Sequence, residues 1–138
     1  MAESKRSEKL KRLVAVQRHL ERMTESELAE TGRVRAEVQR SMDQVIDAIG
    51  SMNPVHQVFS GNYADRFAKL SVRDGQLAGM QTLLEMQMLR ERTKADRFEE
   101  HMHEALEAEE REDEDNAIYD VIDQQFAATP ASSKVQKP

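Results

Sequence analysis

Apolar residues recur every seven positions through the second half of the chain. From Tyr63 the series runs Leu70, Leu77, Leu84, Phe98, Ala105, Tyr119 and Phe126, and only Glu91 and Glu112 interrupt it. A second series, four residues on, holds Phe67, Asp74, Gln81, Met88, Ala95 and Met102. Steps alternating between three and four keep one stripe of an α-helix turned toward a partner helix, the condition for a coiled coil. The stripe is cleanest from Leu84 to Ala105, and no Pro interrupts it before Pro130. The pattern predicts one long helix over about residues 63–126.

The first half predicts another helix, over about residues 4–49. Its apolar positions are Leu10, Leu13, Val14, Val16, Leu20, Met23, Leu28, Val34, Val38, Met42, Val45 and Ile49. The stripe weakens in the middle, where Thr24, Glu27, Thr31 and Gly32 fall near seam positions. Gly inside a helix costs roughly 1 kcal/mol relative to Ala, so a bend or looser pairing is expected near Gly32.

Between the two stretches lies GSMNPVHQVFSGN, residues 50–62, with two Gly, a Pro and two Asn. Asn53 precedes Pro54 and is pushed out of the helical region. Gly50 suits a helix end, and Ser60 or Asn62 suits a helix start. Two helices joined by a short break fold back on each other. The expected fold is therefore all-α, one domain over residues 1–128, with two long helices in an antiparallel coiled-coil hairpin. Residues 129–138, TPASSKVQKP, are expected to form a disordered tail.

Composition agrees with such an arrangement. The chain has 138 residues, 33% of them charged and only 4% aromatic, with no Trp. Two paired helices need few large apolar groups, because only one stripe of each is buried. With no Cys, disulfides, thiolate catalysis and cysteine zinc sites are excluded. The opening residues lack an apolar leader, and no apolar run is long enough to span a membrane. The expected location is cytoplasmic, without membrane insertion.

Charge is placed unevenly. The first 22 residues hold seven bases and three acids, whereas residues 99–115 hold ten acids and one base, Arg111. Folding back at residues 55–59 would lay the basic arm along the acidic segment, with Lys9 near Glu104 and Arg12 near His101. The end of the second helix, from about Glu112, would then have no first helix opposite it.

Chemical motifs are scarce. His101 and His103 point about 200° apart on a helix and cannot share a metal. Glu100 and His103 form a single Glu-x-x-His pair, and a carboxylate-bridged di-metal site needs two such pairs. The run KRSEKLKR, residues 5–12, lacks the aromatics that interleave basic residues in single-strand binders, and Glu8 dilutes it. No phosphate-binding Gly loop and no nucleophile with its base is present, and His19 and His56 stand alone. No enzymatic activity, metal, cofactor or nucleic-acid partner is expected.

Candidate protein-docking residues fall in two places. Met52, Val55, Val58 and Phe59 gather at the connection, with more apolar surface than a turn needs. Ile118, Tyr119, Ile122 and Phe126 form an apolar stripe on the end of the second helix. The acidic run at residues 104–116 would suit a basic partner. Met80, Met86 and Met88 read as core filling, although Met86 lies off the seam and would face outward.

The stretch from Leu83 to Phe126, LLEMQMLRERTKADRFEEHMHEALEAEEREDEDNAIYDVIDQQF, resembles the second helix of the FliJ/YscO family, soluble parts of flagellar and virulence type III export machines. The likeness is carried by the apolar seam, by RERTKADRFEE at residues 90–100, and by the Glu-rich exit into Ile118, Tyr119, Val121, Ile122 and Asp123. It implies a two-helix antiparallel coiled coil in flagellar biogenesis and protein transport. The implied partners are an export ATPase ring and an export gate or substrate chaperones. The implied location is the cytoplasm, with peripheral attachment at the inner membrane through the export apparatus. The reading from residues alone leaves a second function open, a homo-oligomeric coiled-coil scaffold unrelated to secretion.

Overall fold

The computed structural model describes residues 5–128. They form three helices, α1 (Arg6–Ile49), α2 (Pro54–Val58) and α3 (Ser60–Ala128), with no strand among the described residues. The chain is all-helical, and its two long helices pack against each other.

The helix boundaries differ in detail from the expected ones. α1 begins at Arg6, and Ser4 lies outside the described residues. The turn expected over 50–62 holds the short helix α2, and α3 already begins at Ser60. The reason is local. Asn53 is extended (φ −67°, ψ 128°) and its side-chain oxygen accepts the Val55 N–H at 3.0 Å, while Pro54 takes the first helical position. Gly50 donates its N–H to the Ile46 carbonyl at 2.9 Å with a negative φ, so it closes α1 without the left-handed conformation. α3 ends at Ala128, and the tail at 129–138 lies outside the described residues.

Contacts divide the described residues into two compact units. Residues 5–14 with 96–128 form unit 1, and residues 15–95 form unit 2. In unit 1, Ser7 bonds Glu109 and Lys5 reaches Asp113. In unit 2, Gln17 bonds Glu91, Arg92 bonds Glu21, and Arg35 bonds Asp74 and Gln81. Within each unit, residue numbers rise along one helix as they fall along the other.

Burial along α3 follows the sequence pattern closely. Tyr63, Phe67, Leu70, Asp74, Leu77, Gln81, Leu84, Met88, Glu91, Ala95, Phe98, Met102 and Ala105 are all buried or half-buried. Ala95 is fully buried and Leu77 is 5% exposed. Small residues at such points let the facing backbone approach.

α1 departs from its expected stripe. Its seam runs Ser7, Leu10, Val14, Gln17, Glu21, Thr24, Leu28, Thr31, Arg35, Val38, Met42 and Val45, again in steps of three and four. Leu13, Val16, Leu20 and Met23 are instead exposed. The cause lies across the seam. Asp74, Gln81 and Glu91 of α3 need hydrogen-bond partners once they are removed from water. The rotation of α1 that presents Gln17 and Arg35 supplies them. Thr24 and Thr31 satisfy their hydroxyls on the carbonyls of Leu20 (3.1 Å) and Glu27 (2.8 Å). Among the described residues no buried side-chain nitrogen or oxygen is left unpaired. The α1 helix continues through Gly32, where an added Cβ would stand 3.3 Å from Gln81 Nε2. Gly32 thus makes room for a polar seam group of α3.

Leu77→Ala should destabilise the fold by about 2 kcal/mol or more, since it removes buried methyl groups. Val72→Ala, on the exposed side of the same helix, should stay within about 0.5 kcal/mol. Urea unfolding followed by circular dichroism measures both, and equal losses would contradict the seam assignment.

Candidate protein-docking surfaces

In unit 1 the start of α1 is anchored to α3 by one compact bond set. The Ser7 hydroxyl donates to Glu109 Oε2 at 2.5 Å, and the Ser7 N–H donates to Glu109 Oε1 at 3.1 Å. These two bonds hold the Glu109 carboxyl below its ordinary pKa, with nearby Lys5 adding to the effect and loss of hydration opposing it. Lys5 Nζ lies 4.0 Å from Asp113, an exposed pair of little energetic weight. The basic start of α1 thus lies against the acidic stretch of α3. Lys5 is the first described residue, so α3 runs on from Glu114 to Ala128 with no described segment opposite it.

Every residue from 110 to 128 is exposed. Ile118, Tyr119, Ile122 and Phe126 all lie there, with Tyr119 64% and Phe126 66% exposed. At 100° per residue these four span roughly 100° of the helix surface. Asp120 lies about 100° beyond Tyr119, on the far side of the helix, and Asp123 and Asn116 lie between. The end of α3 thus carries an exposed apolar stripe among the described residues.

The other candidate set lies in unit 2. Met52, Val55, Val58 and Phe59 are all exposed, Met52 at 89%. α2 and the start of α3 are joined by a contact that sequence reasoning missed. His56 Nδ1 lies 3.0 Å from the Tyr63 hydroxyl, with the rings tilted at 5.8 Å between centroids. His56, which has no chemical partner near it in the sequence, therefore links α2 to the start of α3.

Unit 2 also contains the polar part of the seam. The Gln17 amide donates to the Glu91 carboxylate and to its backbone carbonyl. Glu21 occupies a seam position and accepts from Arg92 and from Arg18, each at 2.9 Å. The Arg92 bond is the largest cause, and the Arg18 bond the next, of a Glu21 pKa below the ordinary value of 4.5; partial burial works against both. These groups act as pairing elements.

Of the three Met singled out, Met88 is half-buried on the seam, whereas Met80 and Met86 face outward. Met80 thus departs from its core-filling role because it stands one residue off the seam, before Gln81. Glu100 and His103 are both exposed, and among the described residues no group of three or more His, Asp or Glu is placed to hold a metal ion. No described helix is long and apolar enough to cross a membrane.

No family model matches the chain, and neither a curated protein nor a solved structure does.

The Glu21 bonds carry a pH dependence with a defined sign. A carboxyl whose pKa falls on folding stabilises fully above its unfolded value, and that stabilisation is lost as pH drops through the lower folded value. Melting temperature should therefore fall below about pH 4.5, and Glu21→Gln should flatten that fall. Carbon-detected NMR titration should place the Glu21 carboxyl below 4.5 in the native chain and move it upward in Arg92→Ala. An unchanged Glu21 titration in that variant would contradict the bond.

Proposed function

We propose that this chain is a non-catalytic antiparallel coiled-coil hairpin of a type III (flagellar) export apparatus, acting by docking to other proteins of that machine. The observation that carries the docking part is the open amphipathic end of α3, residues 110–128, with Ile118, Tyr119, Ile122 and Phe126 exposed along one side. Water-exposed apolar stripes of this kind are buried by a partner groove or ring in proteins that use helix-in-groove binding. The export part rests on the resemblance of residues 83–126 to the FliJ/YscO family. In this reading the open end of α3 engages the export ATPase ring. Met52, Val55, Val58 and Phe59 form the second contact, toward the export gate or substrate chaperones.

Charge argues for a different protein, rather than a second copy, on the α3 end. Residues 110–128 hold seven acids and one base, Arg111. Pairing this segment with itself would bring acids close to acids, whereas a groove rimmed by Lys and Arg would neutralise them. A homo-oligomeric scaffold unrelated to secretion is the competing reading, and it lacks that complementarity at this site.

Among the described residues, truncation after Glu110 removes only exposed ones, so the shortened chain should keep the remaining helix pairing by circular dichroism. It should lose binding to the purified export ATPase, measured by calorimetry, while the full chain binds. Equal binding by both chains would refute the α3 end as the docking element. No binding by the full chain to any purified export component would refute the export reading.

A further inference from the structure

Unit 2 carries a second apolar surface beside its seam. Val16, Leu20 and Met23 of α1 and Met80 and Leu83 of α3 are between 41% and 67% exposed. Each stands one residue before a seam residue: Gln17, Glu21, Thr24, Gln81 and Leu84. A constant offset from the seam puts each set on one flank of its helix. The two flanks share a side of the unit, because Glu27, Glu30 and Thr31 line one groove together with Met80 and Leu84.

The layout of that face is asymmetric. Gln17 meets Glu91 and Arg35 meets Asp74, so Val16 and Leu20 lie across from Lys94 and Arg90. Further along α1, Glu27 and Glu30 line a groove with Met80 and Leu84, next to Leu83 in the chain. The four charged residues also precede seam residues by one, so they occupy the same flanks, and all four are exposed. The apolar band therefore crosses the face diagonally, from Val16 and Leu20 on α1 to Met80 and Leu83 on α3. Acids fill one corner and bases fill the opposite corner. Glu30 already holds Arg33 at 2.6 Å, which leaves Glu27 as the more open of the two acids.

A face of this kind is complementary to itself. Rotation by 180° about an axis along the band lays band on band. The same rotation brings the basic corner of each copy over the acidic corner of the other. An axis across the band would stack acids on acids. The geometry points to a second copy of this chain as the occupant: a two-fold dimer closed by Leu20, Met23, Met80 and Leu83, with Glu27 and Glu30 of each copy set against Arg90 and Lys94 of the other. The contact uses no residue of the α3 end or of the connection, so it stands or falls separately from the docking function proposed above.

Sedimentation equilibrium of the full chain tests it. The wild type should self-associate by about 100 µM at low salt, and more weakly at high salt, as a small charge-steered interface does. Glu27→Lys with Glu30→Lys makes all four charges basic, and Arg90→Glu with Lys94→Glu makes all four acidic. Each double variant should keep native helicity, because these side chains are exposed. Each should lose self-association by about tenfold or more. An equimolar mixture of the two should associate at least as well as the wild type, since both corner contacts then join opposite charges. A wild type that stays monomeric, variants that associate unchanged, or a mixture no better than its components would each overturn the assignment. Association lost on truncation after Glu110 would place the self-contact at the α3 end instead.

Discussion

Arg35 of α1 reaches Asp74 at 2.9 Å and Gln81 at 2.7 Å, and the pairing of the two long helices depends on bonds of this kind. Gln17 with Glu91, Glu21 with Arg92, and Ser7 with Glu109 are others within their units. An apolar seam alone is degenerate. Sliding one helix by a heptad would bury nearly the same methyl groups. A polar seam residue removes that freedom, because each slipped register leaves a partly buried carboxylate or guanidinium without its partner, at a cost of about 1 kcal/mol for each bond lost. Polar layers are weaker than apolar ones, so the chain trades cohesion for a single alignment.

That trade determines what remains on the surface. The seam positions of α1 between Gln17 and Arg35 are taken largely by polar groups, which leaves Val16, Leu20 and Met23 outside it. No large side chain is fully buried anywhere among the described residues. The apolar content of the chain is thus directed outward as much as inward, in three separate places: the flank of unit 2, the connection around α2, and the end of α3. The chain thus combines hydrogen bonds with a thin apolar seam and displays much of its large apolar surface.

How much of this could be read beforehand differs between the two helices. For α3 the heptad series from Tyr63 to Ala105 coincides with the buried positions, including the polar ones at Asp74, Gln81 and Glu91. One strong series leaves only one phase to choose. α1 offers two apolar series one residue apart, Leu10 and Val14 against Leu13, Val16, Leu20 and Met23. Hydrophobicity favours the second, yet the first lies on the seam, half-buried. The phase is decided by what α3 presents across the seam, and no window within α1 contains that information. The exposed stripe of Ile118, Tyr119, Ile122 and Phe126 was legible as an apolar series on a long helix. The His56–Tyr63 contact was not, because it depends on α2 forming inside a stretch that reads as a turn.

Chemical crosslinking gives the most direct test of the central claim, that polar seam bonds set one alignment of α1 against α3. The chain has no Cys, so introduced pairs report without background. Gln17→Cys with Glu91→Cys joins two positions whose side chains meet across the seam, whereas Gln17→Cys with Leu84→Cys is displaced by one heptad. In dilute solution under mild oxidation, the first pair should form an intramolecular disulfide rapidly and nearly completely, and the second should form little. Equal yields from the two pairs, or a preference for the displaced one, would contradict the account.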